Sequence, residues 1–200
     1  MDNPVILTSV IGASGAILAA TIASITTLTI ERRRIEKKKL DKFKIIQERI
    51  AIDAEIHGML GALLGITSSD RAYIYQFHPD NNPMYFSCSY EEVRDGISVE
   101  VSNRQHLLLS QHPSFLKKLN DKSVIACNID TMCNEHIGML FKSQGVKVAC
   151  IYPIVNTDEY LIGFVGIDYM TEHKSIDCDI KTILSNFSFK VSSKLVSYEK

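Results

Sequence analysis

VKVACIYPIVNTDEYLIGFVGIDY, residues 146–169, is the stretch that decides the fold. Two apolar runs, Val146 to Val155 and Tyr160 to Tyr169, flank the polar quartet Asn156-Thr157-Asp158-Glu159. Runs of this length, rich in β-branched and aromatic side chains, read as strands. A four-residue polar loop between them joins antiparallel neighbours, so a β-hairpin is expected here.

The flanking segments supply the other elements. Downstream, Lys174 to Tyr198 carries Ile176, Ile180, Ile183, Leu184, Phe187, Val191 and Leu195 on one stripe of an amphipathic helix, with Asp177 and Asp179 in its first turn. Upstream, Asp130 to Gln144 reads as a helix with Asp130 as N-cap and Gly145 just past its end. Val124 to Cys127 reads as a brief strand, and short helices are expected near 104–111 and 113–119. Glu91 and Glu92 read as a solvated loop or helix start. A second hairpin is expected earlier: Ala72 to Phe77 (AYIYQF), the turn 78–83 and Met84 to Tyr90. Residues 31–66 form one long helix without proline, with an apolar stripe through Phe43, Ile46, Ile50, Ile52, Ile56, Met59 and Leu63. The order helix, hairpin, mixed middle, hairpin, helix predicts an α+β domain with an antiparallel sheet, its first and last helices on one face.

The N-terminus has a different character. Pro4 to Ile30 contain no charged side chain. About 20 mostly apolar residues suffice for a helix to cross a hydrocarbon core. A basic cluster follows at once: Arg32, Arg33, Arg34, Lys37, Lys38, Lys39, Lys42 and Lys44. Lys and Arg beside a span stay cytoplasmic, which predicts an outside N-terminus and a cytoplasmic domain. A cleaved signal peptide would have a shorter apolar region preceded, not followed, by positive charge. Gly12, Ala16, Ala20 and Ser24 recur every fourth residue, as do Gly15, Ala19 and Ala23. Small residues at that spacing let membrane helices associate closely, so a homodimer or other homo-oligomer in the bilayer is an expected partner state. The segments are then an anchor at 1–30, a basic juxtamembrane helix at 31–44 and a domain at 45–200.

Charge follows the same division. Residues 31–50 hold nine basic and four acidic side chains, a net of +5, whereas residues 51–200 hold 13 basic and 18 acidic, a net of −5. The basic segment thus belongs to the membrane junction and to anionic lipid, and the slightly acidic domain gives a nucleic-acid role little support. The five cysteines, Cys88, Cys127, Cys133, Cys150 and Cys178, are odd in number and widely spaced, unlike a disulfide framework. There is no phosphate-cradling glycine loop and no nucleophile elbow. Cys127, Cys133 and His136 form a C-x5-C-x2-H run, looser than the paired spacing of zinc sites.

The order of elements, with SSDRAYIYQFHP at 68–79 and GFVGID at 163–168 closing the last hairpin, resembles a GAF domain over residues 45–198. The resemblance implies a ligand pocket on the sheet face away from the terminal helices, and by that analogy Ser87, Tyr90, His112 and Asp130 are candidate lining residues. The motif associated with cyclic-nucleotide-binding members is missing, no bilin attachment phrase stands out, and the residues name no cofactor. Three functions follow as expectations. The first is a membrane-anchored, non-catalytic sensory or regulatory domain that binds a small ligand or a partner protein. The second is a ligand-free dimerisation scaffold. The third is an enzyme resembling the free-methionine sulfoxide reductases built on this fold, with Cys88, Cys127 and Cys133 as its cysteines.

Overall fold

The structure is a computed structural model. It describes the backbone of residues 4–81, 84–121, 125–132, 136–171 and 178–196. Within these, side chains are described from residue 30 onward, except at 127, 131, 132, 178 and 196. The small-residue pattern at 12–24, the side chains of Cys127 and Cys133, and Ile176 and Asp177 therefore lie outside the described residues. The chain divides into two compact units, Met1–Ile50 and Ala51–Lys200.

A long first helix, α1, runs Pro4–Thr67. In the first unit, its apolar residues Phe43, Ile46 and Ile50 are all more than half exposed. The stripe expected to be buried is therefore buried only in the second unit, where Ile56, Leu60 and Leu63 have a sheet to cover. Among the described side chains, one 18-residue window within Ile30–Thr67 has a mean hydropathy of 1.4, apolar enough by composition to cross a membrane. Burial of Ile56, Leu60 and Leu63 identifies its apolar end as a core helix of the domain instead.

In the second unit the strands are β1 (Arg71–His78), β2 (Tyr85–Val93), β3 (Leu107–Leu108), β4 (Ile125–Asn128), β5 (Val148–Val155) and β6 (Leu161–Tyr169). Three further helices, α2 (Pro113–Asn120), α3 (His136–Ser143) and α4 (Cys178–Val196), complete it. All six strands form one sheet in the order β3-β2-β1-β6-β5-β4, with antiparallel neighbours throughout. The hairpin at 146–169 is present as expected, and its β6 pairs with β1 at the sheet's centre.

Strand alternation gives the sheet two faces. One packs Ala72, Ile74, Val165 and Ile167 against Ile56, Leu60 and Leu63 of α1 and Leu184, Phe187 and Val191 of α4. The terminal helices thus share a face, as the element order predicts. The α1 terminus is tied down where the Tyr169 hydroxyl donates to the Thr67 carbonyl at 3.0 Å. The other face packs Tyr73, Tyr75, Phe86, Cys88 and Phe164 against Phe115 and Leu119 of α2 and Ile137 and Phe141 of α3.

The middle of the chain departs most from expectation. Glu91 and Glu92 lie within β2, and Glu91 is buried. In place of a helix at 104–111 there is the two-residue β3 followed by a 3-10 turn at Leu109–Gln111. Asp130 is not the cap of α3. It sits in a 3-10 turn, Ile129–Met132, and α3 begins at His136. Local propensity over such short pieces is weak, and edge pairing with β2 captures Leu107 and Leu108 instead.

Candidate functional site

The face under α2 and α3 carries charge where an apolar core needs none. On β1, Arg71, Tyr73 and Tyr75 point to one side, and their β6 partners Asp168, Gly166 and Phe164 lie opposite in register. A Cβ at Gly166 would lie 2.4 Å from the Tyr73 ring, so the glycine is what lets that ring lie flat across the sheet. The Tyr73 hydroxyl thereby reaches Asp168 and donates to its Oδ1 at 2.9 Å.

Asp168 is the centre of a fully buried network. Its Oδ2 accepts from Arg71 Nη1 and from Arg104 Nη2, each at 3.3 Å. Glu91 Oε1 lies 3.0 Å from Arg71 Nε and 4.0 Å from Arg104 Nη1. Glu91 Oε2 accepts from the backbone amides of Glu100 and Val101 at 2.6 and 2.7 Å. Arg71 Nη2 donates to the Ser98 carbonyl at 3.0 Å. Arg104 Nε and Nη2 both donate to Gln144 Oε1, just past α3. The Arg104 guanidinium also stacks over the rings of Tyr73 and Phe141, at 4.9 and 5.2 Å from their centroids. Arg104 therefore fastens the 94–106 connection and the end of α3 onto the sheet.

Two arginines against two carboxylates leave the network without net charge. Burying an ion costs several kcal/mol, recovered only where pairing and hydrogen bonds are good. Burial by itself would lower the affinity of Arg104 for its proton, and Asp168, Tyr75, Tyr73 and Cys88 together more than reverse that, so Arg104 stays charged. Tyr73 and Tyr75 are both held well above the usual phenol range, chiefly by burial. Burial likewise pushes the Cys88 thiol up to about 12.

A stability trend follows from these three groups. Each is neutral in the fold but ionises at its ordinary value once unfolded. Folding therefore loses stability as pH rises from about 9, near the ordinary thiol value, toward 12. Urea unfolding at pH 7.5, 9 and 10.5 is expected to show a falling midpoint, and Cys88→Ala is expected to flatten the fall. Native Cys88 is also expected to resist iodoacetamide at pH 8 and to react on unfolding, because thiolate is the reactive form. Peptide mapping checks this.

The four residues suggested by analogy do not converge. Ser87 is buried, and its Oγ accepts from the His106 amide at 3.0 Å. Tyr90 is turned to the opposite face, where its hydroxyl donates to Asp53 of α1 at 2.6 Å. A register shift in β1–β2 pairing, which skips Ser89, places Cys88 and Tyr90 on different faces despite their even spacing. His112 is buried at the start of α2, its ring edge-on to Phe86 at 5.3 Å and to His136 at 6.1 Å. Asp130 is exposed and pairs with Lys142 at 2.9 Å. Among the described residues no group of three or more His, Cys, Asp or Glu is placed to hold a metal ion. Arg32, Arg33, Arg34, Lys37, Lys38 and Lys39, the cations expected at a membrane junction, are exposed on α1.

Arg71, Glu91, Arg104 and Asp168 were not among the expected site residues. A signal existed for two of them. Arg71 heads one apolar strand and Asp168 interrupts another, and an unpaired buried charge is prohibitive, so each needed a partner. Arg104 stands in a loop with nothing local to mark it.

This six-stranded antiparallel sheet, with terminal helices on one face and short helices over the other, is the GAF fold. Solved structures agree across most of the chain. The photoproduct state of a GAF3 domain from Synechocystis superposes with a TM-score of 0.60 at 12% identity, covering 74% of this chain and 95% of that one. A far-red cyanobacteriochrome photoreceptor gives 0.64 at 10% identity, covering 86% and 100%. The GAF domain of a two-component sensor histidine kinase from Bacillus halodurans gives 0.54 at 12%, covering 71% and 94%. At these identities the likeness is one of fold. No family model matches the sequence, and no curated protein is significantly similar to it.

Proposed function

We propose that this chain is a membrane-anchored sensory or regulatory GAF module that binds a small ligand on the sheet face beneath α2 and α3 and performs no catalysis of its own. The observation that carries this reading is the buried Arg71–Glu91–Arg104–Asp168 network. A face used only for packing gains little from four buried charges, since apolar residues of the same volume are often as stabilising. Polar groups set among aromatic rings are the usual composition of a ligand site. The structural neighbours include photoreceptor and sensor-kinase domains, which fits a sensory role. Pro4–Ile30, with the basic cluster after it, supplies the anchor in this reading, with residues 51–200 on the cytoplasmic side.

The sulfoxide-reductase alternative loses support at Cys88. A buried thiol held near 12 is a poor nucleophile at neutral pH. The scaffold alternative draws on one observation: the network is balanced in charge and largely satisfied from within.

A ligand that binds only the folded state raises its stability by mass action. Full-length protein purified natively from its host in detergent is expected to unfold at a higher temperature than the same protein refolded from urea. Adding back a small-molecule extract is expected to restore the difference. Equal midpoints, with dimers in both samples, support the scaffold instead. Protease treatment of sealed vesicles of known orientation tests the anchor, and digestion of residues 51–200 from the outside face contradicts the topology.

A further inference from the structure

Resting on the ligand-binding reading above, we propose that Tyr90–Glu92, near the end of β2, is a relay that ties the ionic network of the covered face to the seating of α1. Three consecutive residues carry it. Glu91 enters the network: its Oε1 lies 3.0 Å from Arg71 Nε, and its Oε2 accepts from the amides of Glu100 and Val101. Its two neighbours turn to the opposite face, as strand alternation requires, and there they hold α1. The Tyr90 hydroxyl donates to Asp53 Oδ1 at 2.6 Å, and Glu92 Oε1 lies 2.7 Å from His57 Nδ1. Asp53 and His57 are one helical turn apart, so they share a face of α1. The His57 ring also meets the Tyr90 ring edge-on at 5.6 Å.

This stretch is the part of the sheet best placed to shift. β3 pairs only with Tyr85 and Phe86, so among the described strands Tyr90–Val93 are paired on the β1 side alone. The register shift at Ser89 interrupts even that ladder just before Tyr90. With one strand partner and a break beside it, the strand end takes its position from its side chains. Glu91 supplies the hold on the covered face, through one ion pair and two charge-assisted amide bonds. Releasing Glu91 therefore displaces Tyr90 and Glu92 together and slackens both bonds to α1.

A second attachment of α1 has a different character. Tyr169 follows Asp168 on β6, and its hydroxyl donates to the Thr67 carbonyl at 3.0 Å, with both residues buried. The His57 and Glu92 side chains are instead 46% and 37% exposed, where water competes for the pair. Thr67 is thus the fixed point, and the Asp53–His57 turn, about 15 Å back along the helix, is the releasable one. A ligand that draws Arg71 or the Glu100 and Val101 amides away from Glu91 frees this turn. A ligand that tightens the network holds it down. The shift follows from the ligand's different affinity for the two arrangements.

Amide hydrogen exchange on the full-length protein in detergent, with no ligand added, tests the relay from both sides. From the covered face, Glu91→Gln is expected to speed exchange at 51–60 about tenfold more than in β5 and β6, the fold-change of one lost charge-assisted hydrogen bond. From the helix side, Tyr90→Phe combined with Glu92→Gln is expected to speed exchange of the Glu100 and Val101 amides by about fivefold beyond the loss of global stability, because coupling is reciprocal. All three substitutions together are expected to leave 51–60 no faster than the more disruptive set alone. Uniform acceleration throughout the domain reduces Glu91 to a packing role and overturns the relay. Unchanged Glu100 and Val101 amides in the helix-side variant, or full additivity at 51–60, overturn it as well. Should Glu91→Gln fail to fold, the helix-side variant decides alone. Neither arm contains a ligand, so a failed relay leaves the ligand-binding reading to its own test.

Discussion

Replacing Asp168 by alanine is expected to destabilise the domain by about 3–5 kcal/mol, the cost of removing one partner from a buried ion pair. Asp168 is fully buried and accepts from Arg71, Arg104 and the Tyr73 hydroxyl at once. Its removal leaves two guanidinium groups facing a single remaining carboxylate, that of Glu91. A domain of this size has only about 5–15 kcal/mol of stability in all, so the variant is expected to be partly unfolded at 37 °C. The chain contains eight tyrosines and no tryptophan, so tyrosine fluorescence during urea unfolding follows the unfolding of the domain. Asp168→Asn keeps an acceptor for Tyr73 and is expected to lose less through that bond. A loss below about 1 kcal/mol for Asp168→Ala means that the network is slack rather than structural.

The second large effect comes from a single methyl group. Gly163→Ala places a Cβ 2.1 Å from the Tyr75 carbonyl oxygen, with Gln76 Cα only 3.3 Å away. These are backbone atoms of β1, the strand paired with β6 at the sheet's centre. No rotamer change relieves the clash, so the two strands must separate locally. Overpacking of this kind costs typically 1–3 kcal/mol and occasionally more. We expect the upper end or beyond, read from the urea midpoint. Gly61→Ala is the natural contrast. It lies on the exposed side of α1, where an added Cβ meets nothing within 4 Å. There alanine's better helix propensity is expected to stabilise the domain by up to about 1 kcal/mol. A Gly163→Ala protein as stable as its parent contradicts the β1–β6 register.

The skeleton of the fold was legible because its signals are long. The two apolar runs around Asn156–Glu159 and the stripe from Ile180 to Leu195 extend over enough residues for periodicity to speak. These elements lie where the sequence predicts, and their order alone implies the antiparallel sheet. The site was much less legible. Glu91 and Glu92 read as solvated because two adjacent acids rarely enter a core, yet alternation along β2 buries Glu91 and leaves Glu92 to pair with His57 at 2.7 Å. Tyr90 was misplaced by the register shift that skips Ser89, a feature with no mark in the sequence. Arg71 and Asp168 stood inside the two phrases that carried the family resemblance. Their pairing became visible only once the register between β1 and β6 was known.

The proposed function has the covered face, with its buried ions, hold a small molecule. Mass measures this most directly. Full-length protein is purified from its host membrane in mild detergent and weighed twice, once under native and once under denaturing conditions. A stoichiometric excess of a few hundred daltons in the native mass, lost on denaturation, is the result expected. Equal native and denatured masses per chain, in protein that is folded and taken from several growth conditions, contradict the claim.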